Sequence, residues 1–192
     1  RTGAGAYMID TLSGGHLTTV ASGLQTLISS GQMTKEQAKQ YILDHRGQIW
    51  FLPPVEGSIT SKFRPPSRPN HKGIDFGVRN WTPVSAVAKG KITRVYYEPD
   101  GYGNVVYIDH GAGVETRYGH NCEILVNPGD EVLDGQEIAK SGNTGRIMSG
   151  RKYLPDNYPR CSNSDQKGAH VHFEFRLNGE PIDPEAYMRK PI

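Results

Sequence analysis

The chain has 192 residues, 22 Lys and Arg against 20 Asp and Glu, and a formal net charge of +2. So mild a charge lacks the dense basic stripe that nucleic-acid binding needs, and no apolar run approaches the roughly 18 residues that span a bilayer. Neither a nucleic-acid partner nor a membrane span is expected, and the length fits one domain of about 100 to 200 residues with an appendage.

The chain begins at Arg1 without a methionine or a recognisable signal peptide, which reads as a processed product or an excised segment. Residues 1–15, rich in Gly, Ser and Thr, read as a loose lead-in. Leu17, Val20, Leu24 and Leu27 then recur at helical spacing and predict a helix over His16 to Ile28. A second helix is expected over Thr34 to His45, opened by a Thr34/Gln37 capping box. The two can form a hairpin across Ser29-Ser30-Gly31. Three roles are open to this segment: an arm that docks a partner, a remnant of a longer protein, or a cover for one flank of a β core. Pro53-Pro54 marks the boundary, since proline removes a donor and pushes its predecessor out of helix. The division is therefore 1–53, lead-in and helices, and 54–192, the main domain.

Beyond that boundary, 23 Gly and 13 Pro separate short strand-like runs such as Lys91 to Tyr97 and Asn104 to Ile108. This pattern predicts a mainly β, antiparallel core with loops carrying the functional side chains. The basic residues Arg64, Arg68, Lys72 and Arg79 can line a groove, although each alone reads as solvated loop charge.

Two runs carry the chemistry: His71-Lys72-Gly73-Ile74-Asp75 and His170-Val171-His172. In a strand, His170 and His172 project from one face about 6 to 7 Å apart. The alternation continues through Phe173, Phe175 and Leu177, so the histidines sit on a half-buried strand. Either run alone reads as ordinary histidines. Together, with a third histidine between them in Tyr118-Gly119-His120, they point to a metal site. Catalytic zinc keeps three protein ligands and one open position, whereas structural zinc wants four. Cys122 and Cys161 form no CxxC pair that would close a site, so the open, hydrolytic arrangement fits better. No HExxH is present, which excludes the helical zinc-protease arrangement.

These stretches carry a family resemblance. Gly57 to Phe63, His71 to Asp75, Thr82-Pro83-Val84, Gly103 to Val106, Ile108 to Gly111, Ser141 to Gly145 and Gly168 to Glu174 follow, in order, the motifs of the lysostaphin-type (LytM-like) zinc metallopeptidases. The resemblance covers roughly residues 54 to 188. It implies a lysostaphin-like antiparallel β fold and one Zn2+ ion held by His71, Asp75 and His172. It places His120 and His170 on the two catalytic histidines that are not ligands. Such a metal lowers the pKa of water to about 7 and polarises a carbonyl, while two imidazoles can divide base, acid and oxyanion roles.

The resemblance further implies an endopeptidase acting on peptide cross-links of bacterial peptidoglycan, outside the cytoplasm, whether secreted, periplasmic or borne by a phage tail. A carboxypeptidase-like or nonmuralytic peptidase and a noncatalytic wall-binding or regulatory module, each on the same fold, are the alternatives. In related enzymes a segment ahead of the domain can cover the metal, a role open here to Asp10 or His16, though simple exposure fits both better. His45, closing a helix, and His110, closing a strand at Gly111, read as structural.

Two departures from the family pattern stand out. Asn121 follows His120 where an apolar residue is usual, and a polar insert, Arg146 to Gln166, separates the Ser141 to Gly145 turn from the His170 strand. The insert ends just before His170, so it should rim the cleft and bear on specificity, with Tyr153, Tyr158 and Arg160 as its contact residues. Cys122 and Cys161 can pair, closing a loop of about 40 residues worth roughly 4 kcal/mol in the chain-entropy model, or remain free and buried.

Overall fold

His16 caps the first helix: its Nδ1 accepts the Thr18 N–H at 3.0 Å. The computed structural model describes residues 14–190; Asp10 and the lead-in lie outside them. Strand β1 (Gly15–His16) runs into α1 (Leu17–Ser29), whose Leu17, Val20, Ala21, Leu24 and Leu27 share one buried face. Helix α2 (Lys35–Asp44) opens with the expected reciprocal cap between Thr34 and Gln37, and β2 (Ile49–Trp50) pairs back in parallel with β1.

The strands that follow are β3 (Ser58–Ser61), β4 (Ile74–Gly77), β5 (Pro83–Ser85), β6 (Gly90–Glu98), β7 (Gly103–Gly111), β8 (Val114–Asn121), β9 (Glu123–Ile124), β10 (Glu131–Val132), β11 (Glu137–Lys140), β12 (Met148–Ser149), β13 (Lys152–Tyr153), β14 (His170–Leu177) and β15 (Glu180–Ile182). The main sheet has the order β10-β6-β7-β8-β14-β4-β3, with β15 extending it beside β14 past the end of β4. Its neighbours pair antiparallel, as the turn-rich sequence predicts. A smaller sheet, β5-β11-β9, packs at its flank, and β12 and β13 form a hairpin inside the insert.

Strand β14 explains the layering. Val171, Phe173, Phe175 and Leu177 point into the core, where Phe173 and Phe175 meet Phe51, Tyr118 and Tyr187 edge-on or tilted. Truncating a buried Phe of this kind to Ala costs about 3 to 5 kcal/mol. The helices belong to the same apolar cluster. Polar ties reinforce the contact: Thr18 Oγ1 accepts the Lys89 N–H, Gln25 Oε1 accepts the Ala112 N–H, and the Tyr187 hydroxyl donates to the Ile42 carbonyl. Of the roles open to the helical segment, covering the core is the one displayed. The opposite face of β14 carries His170, His172, Glu174 and Arg176.

Candidate metal centre

His172 and Asp75 are direct cross-strand partners on β14 and β4. Both lie on the polar face, so their side chains meet, with His172 Nδ1 2.9 Å from Asp75 Oδ1. His71 enters from the loop between β3 and β4, its Nε2 3.1 Å from the same carboxylate oxygen and 3.3 Å from His172 Nδ1. Gly73 makes this approach feasible, because a Cβ there would stand 2.1 Å from the Phe173 carbonyl oxygen. The loop can therefore lie flat against β14.

The far side of each ring decides what faces inward. His71 Nδ1 lies 2.7 Å from the Lys62 carbonyl, which can only accept, so that nitrogen carries the proton. His172 Nε2 likewise donates to Glu174 Oε1 at 2.9 Å. For neutral rings, His71 Nε2 and His172 Nδ1 then present lone pairs toward Asp75 Oδ1. Three acceptors this close repel unless a proton or a cation sits among them. Tetrahedral zinc with bonds of about 2.0 to 2.1 Å needs ligand atoms about 3.3 Å apart, a few tenths wider than most of this triangle. Two imidazoles and one carboxylate suit zinc chemically, so the residues fit the ion.

Electrostatics follows the same logic. Burial alone lowers His172, but hydrogen bonds from its ring to Asp75 and Glu174 outweigh it and push the ring up to about 9. Burial raises Asp75, but the protonated His172 ring bonded to it, with His71 and His170 close by, holds it well below the usual carboxylate range. Arg68 takes the other oxygen, Asp75 Oδ2, at 3.1 Å and also reaches the Ser61 hydroxyl, leaving Oδ1 free for the centre.

His120 and His170 adjoin it, with ring centroids 4.6 Å apart. His170 Nε2 is 3.7 Å from Asp75 Oδ1. Their Nδ1 atoms donate to the carbonyls of Thr144 and Gly168, each at 2.8 Å, so both Nε2 atoms are left as lone pairs. Burial, then neighbouring histidines, lowers His120 well below its ordinary value, and burial also lowers His170. The Ser141 to Gly145 turn anchors both, since Gly142 O also accepts the His170 N–H.

His120 reaches this face through a bulge. Register passes from Val106↔Tyr118 to Asn104↔Asn121, two steps on β7 against three on β8, and His120 takes a left-handed φ of 67°. The extra residue breaks the alternation that would bury the ring beneath the sheet. Asn121 stabilises the bulge by donating to the carbonyls of Asn104 and Tyr118. An apolar residue there offers no such donor.

The other candidates fall elsewhere. His16 is spent on capping α1 and stands edge-on to Trp50, so it does not cover the centre. His45 bonds the Tyr41 carbonyl and stacks on that ring. His110 is buried between the Lys89 carbonyl and the Thr116 hydroxyl, and burial lowers it to about 4. Of the basic cluster, Arg68 and Lys72 line the groove over the centre, about 940 Å3 in volume. Arg64 lies against Phe63, and Arg79 bonds the Asn163 carbonyl. The insert rims the groove through Arg146, Met148, Gly150, Arg151 and Tyr153. Of its expected contact residues, Tyr158 bonds Asp165 and Arg160 bonds the Asn143 carbonyl, and neither lines the groove. Cys122 and Cys161 form a disulfide.

Sequence reasoning missed the supporting roles of Glu174, Arg68 and Tyr102, whose hydroxyl donates to Glu174 Oε1 at 2.7 Å. Glu174 alone had a signal, the two-residue period continuing His170 and His172.

A model of Peptidase family M23 matches residues 69–184, more than half the chain. The chain belongs to this family. It is 35% identical over 134 residues to an uncharacterized metalloprotease of Haemophilus influenzae, covering 70% of this chain and 23% of that protein. It is 30% identical over 156 residues to the peptidoglycan DD-endopeptidase ShyA of Vibrio cholerae, covering 80% and 30%. Among solved structures, a zinc-containing peptidase from Vibrio cholerae superposes with a TM-score of 0.57 at 31% identity, covering 74% of this chain and 41% of that one. The chain thus spans under a third of the length of the two curated relatives. The M23 match embraces all five site residues, His71, Asp75, His120, His170 and His172.

Proposed function

We propose that this M23 domain is a zinc-dependent metalloendopeptidase that hydrolyses peptide cross-links of bacterial peptidoglycan outside the cytoplasm. The observation that carries the reading is the convergence of three inward-facing acceptors beside two histidines whose Nε2 atoms are free. His71 Nε2, Asp75 Oδ1 and His172 Nδ1 would hold one ion, which supplies Lewis acidity toward a carbonyl and an acidified water.

The remaining chemistry belongs to the chain. His120 and His170 are held neutral by burial, so each can accept a proton at Nε2 and pass it to the departing amine. Once protonated, either ring can donate to the scissile carbonyl oxygen as negative charge develops there. The carbonyls of Thr144 and Gly168 fix both rings by their Nδ1 protons, so no reorientation is needed during the transfer. The Cys122–Cys161 disulfide suits an oxidising, extracytoplasmic setting, and the name of the relative ShyA supports peptidoglycan as the substrate.

The test is digestion of purified sacculi by the zinc-loaded protein, with released fragments identified by mass spectrometry. Fragments from internal cross-links are expected. Release of terminal residues alone would indicate a carboxypeptidase. Binding without release under any metal condition would indicate a noncatalytic module.

A further inference from the structure

The insert has two halves with different attachments. The second half is bolted to the body of the domain. Cys161 is bonded to Cys122 just beyond β8, its N–H donates to Asn143 Oδ1, and its carbonyl accepts the Trp81 indole N–H. Asn80 Nδ2 donates to the Ser162 carbonyl, and the Asn80 N–H donates to Gln166 Oε1.

The first half is a hairpin, β12–β13, that stands over the groove. It leaves the body where the Arg146 N–H donates to the Gly101 carbonyl, and it closes on itself through Leu154 N–H to Ile147 O. Ile147 is buried and anchors it, while Tyr153 is 52% exposed. The Arg146 guanidinium lies 4.1 Å from the centroid of the Tyr153 ring. Stacking of this kind orients the planar fork without using its N–H groups.

Charge in the groove is unevenly satisfied. Among the groove's acids, Asp75 is spent on Arg68 and the histidines, and Glu98 accepts the Tyr102 N–H. Arg146, Arg151 and Lys72 also line it, and among the described residues none of the three pairs with a carboxylate. Glu98, whose hydrogen bond to a backbone N–H leaves its charge in place, and Asp100 offset the three cations only in part. A groove wall bearing exposed guanidinium groups without carboxylate partners favours a ligand that brings its own negative charge.

We infer that the β12–β13 hairpin selects the substrate, with Arg146 and Arg151 binding a free carboxylate on the peptide beside the scissile bond. The preferred substrate is an anionic cross-linked stem peptide, not a neutral, glycine-only bridge. Tyr153 is the positioning residue for Arg146, and the disulfide-bonded half is the bracket that holds the hairpin in place. The inference rests on the peptidase reading for its substrate class, but binding can be measured without turnover.

The experiment uses two synthetic cross-linked stem peptides, alike except that the free carboxylates of one are amidated in the other. Kd for each is measured by calorimetry on the zinc-loaded full chain and on Arg146→Gln/Arg151→Gln, with zinc content checked. Wild type should favour the free carboxylate by about tenfold or more, as a charge-assisted hydrogen bond implies, and the double variant should bind both peptides alike. Arg146→Lys/Arg151→Lys, which keeps the charge, should retain part of the preference. Equal affinity of wild type for the two peptides, binding of neither, or a preference surviving in the Gln variant overturns the inference. Preferential binding without cleavage supports the hairpin's role while defeating the endopeptidase reading.

Discussion

His172 and Glu174, two residues apart on β14, are joined by a 2.9 Å hydrogen bond from Nε2–H to Oε1. Because this bond fixes the proton on Nε2, it decides that Nδ1 faces Asp75. Glu174 is itself held by the Tyr102 hydroxyl and by Arg176 Nε, and with the protonated His172 nearby its pKa falls, against burial, to about 2. Glu174→Gln keeps the shape but can turn an amide N–H toward the ring. The expected result is about 10- to 100-fold weaker zinc binding with the fold retained, read by competition with a chelator. Unchanged affinity would remove Glu174 from the metal's support.

Removing a ligand should do more than weaken the site. In His71→Ala or His172→Ala, two acceptors remain of the three that converge on one point. Zinc retention and hydrolysis should fail together. Metal analysis finding one zinc per chain in either purified variant would refute the ligand assignment.

His120→Ala and His170→Ala should behave differently, since neither ring belongs to the triangle of acceptors. Zinc content should stay at the wild-type level while turnover falls by about 10²-fold or more. Wild-type turnover in both variants would leave the two histidines without a chemical role.

The parts of this site that could be read from sequence are those governed by local periodicity. The two-residue repeat of β14 put His170 and His172 on one face and Phe173, Phe175 and Leu177 on the other, as observed, and the Thr34/Gln37 cap was visible in four residues. The face taken by His120 was not readable by this rule, because one extra residue in β8 reverses the parity. Arg68 was visible only as loop charge, since its pairing with Asp75 depends on how the loop between β3 and β4 folds back. Tyr158 and Arg160 looked like substrate contacts from position alone, whereas backbone acceptors and Asp165 inside the insert claim them. The pairing of Cys122 with Cys161 depends on that same folding, so spacing left it open.

Zinc uptake should depend on pH in a definite direction. His172 is raised from about 6.5 in the unfolded chain to about 9 in the metal-free fold. Its contribution to metal-free stability is therefore complete below about pH 6.5 and is lost as pH rises through 9. An ion at Nδ1 must displace that proton. Apparent zinc affinity should then rise about tenfold per pH unit from pH 7 to 9, and the thermal shift caused by zinc should be larger at pH 8.5 than at pH 6.5. Affinity flat across that range would place the metal away from His172.

The disulfide offers the sharpest separation between the two halves of the insert. It closes a loop with a sequence separation of 39 residues, for which chain entropy gives about 4 kcal/mol. For a chain of this size that corresponds to a fall in Tm of roughly 8 to 16 °C. Cys122→Ser/Cys161→Ser should therefore melt earlier while keeping the β core, whose apolar contacts do not involve either sulfur. Replacing residues 148–153 of the hairpin by a short Gly-containing turn should leave Tm near wild type, because that stretch buries little and bonds mainly to itself. The same change should alter the ranking of peptide substrates without altering zinc content. If the shortened hairpin instead unfolds the protein as the cysteine variant destabilises it, the whole insert is structural and its exposed arginines select nothing.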